Sequence, residues 1–222
     1  MYLSRIALDP SRRNTARALV SPQVLHGAVE ASFPNDPSMH RLRSLWRIDH
    51  LSDRCYLLVL SSQQPDLSSV AEQFGYNCDV PRWETKSYAT HISQLQTGEV
   101  FRFRLRANPV RSSFAEKDER SGRGKVFAHV TAEQQKDWLL GRAPEHGFAL
   151  DIDKFDVVHS EWLSFRKAGA RGSEVSLRVA EFEGLLTITN VEQFRAMLTQ
   201  GLGRAKAYGC GLLTVIRCQH PK

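Results

Sequence analysis

The sequence contains few cysteines, and none are spaced as metal ligands usually are. Its four cysteines are Cys55, Cys78, Cys210 and Cys218, with no Cys-x-x-Cys pair among them. This spacing argues against a zinc ribbon and suggests no disulfide framework. A reducing, cytoplasmic location is therefore expected.

Long apolar stretches are also missing. The longest uninterrupted apolar run is 55–60, and the amino terminus reaches Asp9 before any stretch of signal-peptide length. Since a transmembrane helix needs about 20 apolar residues, no membrane segment is expected.

The composition is that of a folded, basic protein. The 222 residues are 41% hydrophobic and 24% charged, which excludes a disordered or fibrous chain, and the length suffices for two domains. The net charge of +6 and a pI near 9.3 favour polyanionic partners such as nucleic acids. A soluble basic surface without a nucleic-acid partner is an equally good interpretation until the charges are shown to cluster.

The first half of the chain predicts one α+β unit. Alternation over 2–8 predicts a strand, and Ser21-Pro22 predicts the start of a helix with Leu25 and Val29 on its apolar face. Further elements are predicted as strands at 42–48 and 55–60, a helix at 66–74, and a strand or loop through 83–88. The order is β-α-β-β-α-β.

The second half predicts the same order. The elements are a strand at 100–106, a loop to Lys125, a helix at 132–140, long strands at 155–165 and 174–189, a helix capped by Asn190, and a strand at 212–216. The predicted fold class is α+β, with two tandem ferredoxin-like (RRM-like, βαββαβ) domains at 1–95 and 96–222.

Basic residues concentrate in the centre of the chain. Strict alternation over 101–106 places Arg102, Arg104 and Arg106 on one face of a strand. From 102 to 125, eight basic residues, including Lys125, oppose three acidic ones. The segment predicts a phosphate-binding surface. The alternative is a solvated strand face, on which like charges repel unless an anion or an acidic partner lies over them.

A second basic point is Arg166-Lys167. It precedes Ala-Gly-Ala-Arg-Gly and predicts a hairpin tip between two long strands. Such a tip is useful beside an A-form RNA helix, which is recognised through its shape and phosphates. An ordinary soluble turn fits the residues equally well.

The segment 201–211 is a glycine-rich loop between a helix and a strand. Its order excludes a dinucleotide fingerprint, which follows a strand and opens a helix, and it lacks the Gly-Lys-Ser/Thr of a P-loop. Gly201 is expected to terminate the preceding helix. Gly203 and the other glycines allow close approach of a ligand or another backbone, and Arg204 and Lys206 add positive charge.

This loop resembles the C-terminal signature of the CRISPR-associated CasE endoribonucleases. The resemblance continues through the whole chain, in Met1–Arg5, His26, Phe101–Pro109, Trp138-Leu139 and Phe182–Ile188. It implies tandem ferredoxin-like folds, cleavage of the stem-loop of CRISPR precursor RNA within each repeat, and retention of the product in the type I-E Cascade complex with its other subunits. It also implies no metal or other cofactor, and the isolated protein is expected to be a monomer.

The resemblance assigns catalysis to His26. From the residues alone, a lone histidine is more often structural or a surface group. The implied reaction is attack by the RNA 2′-hydroxyl, which leaves a 2′,3′-cyclic phosphate and a 5′-hydroxyl, and imidazole is suited to the proton transfer. The family commonly has a tyrosine three residues earlier, where this chain has Gln23. Glutamine cannot transfer a proton at neutral pH, so Gln23 is expected at most to orient the substrate.

Two other functions are compatible with parts of the sequence. A non-catalytic protein with two RRM-like domains would need exposed strand aromatics, whereas Phe101 and Phe103 alternate with arginines as buried residues do. A phosphodiesterase acting on small nucleotides would not need charge spread over both halves of the chain.

Overall fold

The structure is a computed structural model that describes residues 1–34, 42–51, 54–77, 83–117, 124–166 and 174–218, with the backbone alone at 114–117. It contains two four-stranded antiparallel sheets, one from each half of the chain. None of the helices in these ranges has the length and apolarity that crossing a bilayer demands.

The first sheet has the spatial order β2-β3-β1-β4, and helices pack on one of its faces. Its elements are β1 (Tyr2–Leu8), α1 (Arg13–Val20), α2 (Pro22–Ala31), β2 (Leu45–Leu51), β3 (Arg54–Ser61), α3 (Ser68–Phe74) and β4 (Trp83–Ser87). Ile6 and Leu8 of β1 pack against Leu25 and Val29 of α2 in one buried cluster. Burial of this apolar face is the main driving force for the unit.

The second sheet has the order β10-β5-β9-β8. After the short helix α4 (Ala89–Ser93), its elements are β5 (Val100–Ala107), α5 (Ala132–Arg142), β8 (Phe148–Arg166), β9 (Glu174–Ile188), α6 (Val191–Gln200) and β10 (Leu213–Arg217). Phe101, Phe103 and Phe182 are buried with Phe194 of α6. In both sheets the first and third strands of the unit are central, so the predicted pair of ferredoxin-like folds is confirmed.

Two local predictions were incomplete. The segment predicted as a loop before Lys125 contains a hairpin, β6 (Val110–Lys117) and β7 (Gly124–Ala128), which forms a separate two-stranded sheet. Its strands show no clear apolar alternation because the side chains described on them, at 110–113 and 124–128, are half-buried or exposed. Helix α1 was missed for a similar reason, since its only buried residues are Thr15 and Ala18.

The two units share a small apolar interface. Leu45, Leu60 and Tyr88 of the first unit form a buried cluster with Leu212 of the second. The connection between β4 and β5 is fixed by Arg195 of α6, whose guanidinium donates to the carbonyls of Ile92, Ser93 and Leu95. The predicted division between residues 95 and 96 lies in this connection and stays a prediction.

Candidate nucleic-acid interface

His26 lies on helix α2, in the first unit. Pro22 occupies the first turn, as predicted, because its fixed φ suits that position. Ser21 makes no side-chain capping bond, and its backbone N–H donates the last helical hydrogen bond of α1, to the carbonyl of Arg17. Leu25 and Val29 are buried, whereas His26 and Gln23 are half-buried beside that stripe. The imidazole is therefore held on a packed helix at the edge of the core.

The glycine-rich loop of the second unit packs directly against this helix. Its 3₁₀ turn, Lys206–Tyr208, lies beside α2 and also touches β2. The Tyr208 ring meets Phe165 edge-on, with 4.8 Å between the ring centroids. The contacts bring together the His26 helix, the loop and the distal end of β8, which are far apart in the sequence.

Glycines allow this close packing. Gly209 has a φ of +77°, and a Cβ there would lie 2.7 Å from the Trp46 ring. A Cβ on Gly201, which ends α6 as predicted, would lie 2.8 Å from Leu45. Both contacts are with β2 of the first unit, so the close approach predicted for the loop includes an approach to the other half of the protein. Gly203 is exposed and lies beside Trp138.

The two cations of the loop have different surroundings. Arg204 is exposed, and its guanidinium donates to the hydroxyl of Ser112 in β6, 3.0 Å away. The Lys206 ammonium donates to the carbonyl of Gln200 at 2.7 Å, at the end of α6. Burial lowers the pKa of Lys206, and the charge of Arg43 lowers it further. No local pattern in the sequence predicts that Arg43 lies beside the loop.

The arginines of β5 do not form a uniform cationic row. Arg102 is exposed, but Arg104 pairs with Glu183 at 2.6 Å and approaches Asp49 at 3.8 Å. Arg106 is 12% exposed and is paired with Glu161 and Glu181 at 2.8 and 2.7 Å. Two of the three arginines that were predicted to bind phosphate, Arg104 and Arg106, are therefore paired with carboxylates, which relieve the repulsion between like charges along the strand.

Two of the remaining predicted cations, Lys125 and Arg166, lie on strands β7 and β8. Lys125 is exposed on β7, with its ammonium 5.4 Å from the centre of the Phe127 ring, and Arg111 of β6 lies 5.1 Å from the same ring. Arg166 is exposed at the end of β8, next to Phe165, while Lys167 lies outside the described residues. The hairpin β6–β7 therefore presents basic side chains beside Arg204.

A crevice of about 360 Å³ separates the two units next to α2. Its walls include Pro22 and Leu25 from the first unit and Arg106, Leu163 and Tyr208 from the second. Within the described ranges, no three His, Cys, Asp or Glu side chains are grouped as metal ligands would be. What the structure brings together is a histidine-bearing helix, a cationic loop and basic hairpins.

Comparison with known proteins identifies the family. A family model described as CRISPR associated protein matches residues 1–217. The chain is 30% identical to the CRISPR-associated endoribonuclease Cse3 of Thermus thermophilus, over 97% of this chain and 99% of that protein. It is 27% identical to the CRISPR system Cascade subunit CasE of Escherichia coli, over 97% and 98% of the two chains.

Solved structures agree with the sequence matches. Thermus thermophilus Cse3 bound to an RNA representing a pre-cleavage complex matches with a TM-score of 0.78 and 27% identity, over 97% of this chain and 98% of that one. The chain therefore belongs to the CRISPR-associated protein family. The full-length matches confirm its predicted resemblance to the CasE endoribonucleases within that family.

Proposed function

We propose that this protein binds the stem-loop of CRISPR precursor RNA repeats, cuts each repeat once, and then stays bound to the mature guide RNA in a Cascade complex. The observation that carries the proposal is the packing of the His26 helix against the cationic loop of the second unit. The full-length similarity to Cse3, whose solved structure holds a pre-cleavage RNA, supports the same function. The similarity to the Cascade subunit CasE supports retention in the complex.

The proposed chemistry uses a nucleophile that belongs to the substrate. The 2′-oxygen attacks the adjacent phosphorus and loses its proton, while the bond from phosphorus to the 5′-oxygen breaks and that oxygen gains a proton. The products are a 2′,3′-cyclic phosphate and a 5′-hydroxyl. The protein then has to align the atoms, move protons and stabilise the charge on the phosphorane, none of which requires a metal.

His26 is proposed to transfer one of these two protons. An imidazole titrates near neutral pH, and a positioned acid or base contributes about a hundred- to ten-thousandfold in rate. Gln23 precedes it by three residues, on the same side of α2, and can donate a hydrogen bond to the phosphate or the 2′-hydroxyl. Gln23 is therefore proposed to orient the substrate.

The basic side chains are proposed to hold the RNA. Arg102, Lys125, Arg166 and Arg204 are exposed and are proposed to contact phosphates. Arg104 and Arg106, which pair with carboxylates, are proposed to contribute indirectly by shaping the surface. Lys206 places its charge beside α2, and Gly203 allows close approach of the RNA backbone. Lys167 is included in the predicted contacts on its sequence alone.

The proposal is tested by single-turnover cleavage of a hairpin repeat RNA in EDTA, with protein in excess. Wild type is expected to cut once at the base of the stem, and the hairpin product to elute with the protein. His26→Ala is expected to cut about a hundred- to ten-thousandfold more slowly with unchanged RNA affinity. The control His159→Ala, an exposed histidine on β8, should cut at the wild-type rate.

One further substrate and one further variant separate the parts of the mechanism. A repeat with a 2′-deoxy nucleotide upstream of the cut should bind and remain intact; its cleavage would refute attack by the 2′-hydroxyl. Gln23→Ala should lose less rate than His26→Ala, and an equal loss would show that Gln23 does more than orient the substrate.

The same experiment tests a purely RNA-binding function. Phe101 and Phe103 are buried at 0% and 2% exposure. They cannot stack on bases as the strand aromatics of RNA-binding RRM domains do. Binding without cleavage by wild type would nevertheless favour that alternative.

A further inference from the structure

Arg47 is a charged residue in an unusual position. It lies on β2 of the first unit with 2% of its side chain exposed, at the boundary between the two units. Its Nε and one terminal nitrogen donate to the two carboxylate oxygens of Asp49, two residues along the same strand. Residues at i and i+2 share one face of a strand, so this fork is formed locally.

The other donors of Arg47 reach the second unit. One terminal nitrogen donates to the carbonyls of Arg104 and Leu212, both at 2.8 Å, and the other donates to the hydroxyl of Thr214 at 2.9 Å. All five N–H groups of the guanidinium are therefore used. A buried charged side chain is tolerated inside a protein when all of its hydrogen-bond donors have acceptors, as those of Arg47 do.

Two of these acceptors, Leu212 and Thr214, follow directly after the glycine-rich loop, and the third, Arg104, lies opposite Thr214 on the neighbouring strand β5. Leu212 follows Gly211, whose N–H donates to the carbonyl of Arg106 at 2.7 Å. The neighbouring residues of β2, Leu45 and Trp46, contact Gly201 and Gly209. One strand of the first unit therefore contacts both ends of the loop and binds its exit through directional hydrogen bonds.

The position of the loop relative to His26 depends on this strand. The turn Lys206–Tyr208 lies between the two contacted ends of the loop and packs beside α2. A shift of β2 against the loop exit would move the loop cations with respect to the His26 imidazole. Apolar contacts, such as that of Leu60 with Leu212, allow the two units to slide against each other. The five directional hydrogen bonds of Arg47 can all form in only one relative position of β2 and the loop exit.

We propose that Arg47, oriented by Asp49, is a positioning residue for RNA cleavage, which fixes the glycine-rich loop at the separation from His26 that the reaction needs. The inference rests on the proposed function. Replacing a buried ion pair with apolar residues of similar volume is often neutral for stability. The pair contributes alignment, and a displacement of about 1 Å can cost a hundredfold in rate.

The main test is the double variant Arg47→Met/Asp49→Leu, which leaves no unpaired buried charge. Because the carbonyls of Arg104 and Leu212 lose a donor, it is expected to melt below wild type and, assayed well below that melting temperature, to bind the hairpin RNA with unchanged affinity. Its single-turnover cleavage rate at saturating protein should fall about ten- to a hundredfold. Arg47→Lys, which keeps a charge beside Asp49 without the fork, should fail to restore the wild-type rate.

Two more variants separate positioning from a structural role. Thr214→Val removes one of the five hydrogen bonds and leaves Arg47 intact, so its rate should fall about threefold even if the double variant does not fold. Leu60→Ala, in the same interface but without a polar link to the loop, should lower the melting temperature and leave the rate unchanged.

The outcomes distinguish this inference from the proposed function. Double and Thr214→Val variants that cut at the wild-type rate would overturn the positioning role alone, as would rates that fall only in proportion to RNA affinity or melting temperature. A wild-type protein that does not cut hairpin RNA would overturn the proposed function, and the positioning role with it.

Discussion

Strand β5 and the glycine-rich loop are both cationic segments of the second unit, but they differ in what surrounds their charges. In β5, Arg104 and Arg106 are paired with carboxylates from β8 and β9. In the loop, Arg204 is exposed and donates to a neutral hydroxyl. The positive charge of β5 is thus largely used to hold the sheet together, while that of the loop is available to a polyanion.

Paired and exposed cations are therefore expected to have different roles, which the sequence alone does not distinguish. Arginines that hold carboxylates should affect stability, and exposed cations should affect RNA affinity and its dependence on salt. The placement of the loop is a third quantity, because in the proposed function the loop cations reach the RNA beside His26 only if the loop stays against α2. Three predictions test these tasks, from the largest expected effect to the smallest.

The largest effect is expected from Gly209→Ala. Gly209 has a left-handed backbone, and the added Cβ would lie 2.7 Å from the Trp46 ring. Backbone strain and overlap with a buried ring should together lower the free energy of unfolding by about 3 kcal/mol. Urea denaturation of the variant and the wild type measures this difference.

Gly141→Ala is the matched control for this prediction. Gly141 lies in α5, where a Cβ meets nothing within 4 Å. Alanine has a higher helix propensity than glycine, so this variant should gain about 0.5–1 kcal/mol. Equal effects of the two substitutions would contradict the close packing of the loop on β2.

An intermediate effect is expected from the arginines of β5. Arg106→Gln leaves Glu161 and Glu181 without their guanidinium and should lower the free energy of unfolding by about 1–3 kcal/mol. Arg102→Gln, at an exposed position on the same strand, should change it by less than about 0.5 kcal/mol.

The effects of these two substitutions on RNA binding should have the opposite order, with Arg102→Gln the larger. Arg102→Gln should reduce the slope of log affinity against log salt by about one, as expected for the loss of one phosphate contact. Arg106→Gln should change this slope less. If both variants changed the slope equally and left the melting temperature unchanged, the distinction between paired and exposed arginines would be wrong.

The sequence predicted the element order because the core faces are strongly patterned. The alternation of Phe101, Phe103 and Leu105 identified β5, and Asn190 identified the start of α6, where its side chain accepts from the backbone of Glu192 and Gln193. Local signals of this kind need only neighbouring residues. Such local patterns predict helix starts, strand faces and the glycines that end helices.

Features that depend on distant residues could not be predicted in the same way. The carboxylates opposite Arg106 come from positions 161 and 181, and no local pattern shows that they face it. The contact of the loop with α2 depends on the packing of the two units. His26 was found through family resemblance, since a half-buried histidine on a helix border has no distinctive local pattern.

The smallest effect is expected from Lys206. Burial lowers the pKa of its ammonium below 10.5, the ordinary value, and Arg43 lowers it further. Between the folded pKa and 10.5 the unfolded chain therefore binds more protons than the folded protein. The contribution of Lys206 to the free energy of unfolding must therefore rise with pH between its pKa in the folded protein and 10.5.

Lys206→Met should remove this dependence. Urea denaturation in steps from about pH 8 to 10.5 should show the wild type gaining stability relative to the variant as pH rises. Lys154→Met, which replaces a lysine that is 61% exposed and pairs with Asp151, is the control and should leave the pH dependence as in wild type. If Lys206→Met kept the wild-type pH dependence, Lys206 would be as well solvated as an ordinary surface lysine, and the loop would not be packed as closely against its surroundings as Gly209 and Trp46 require.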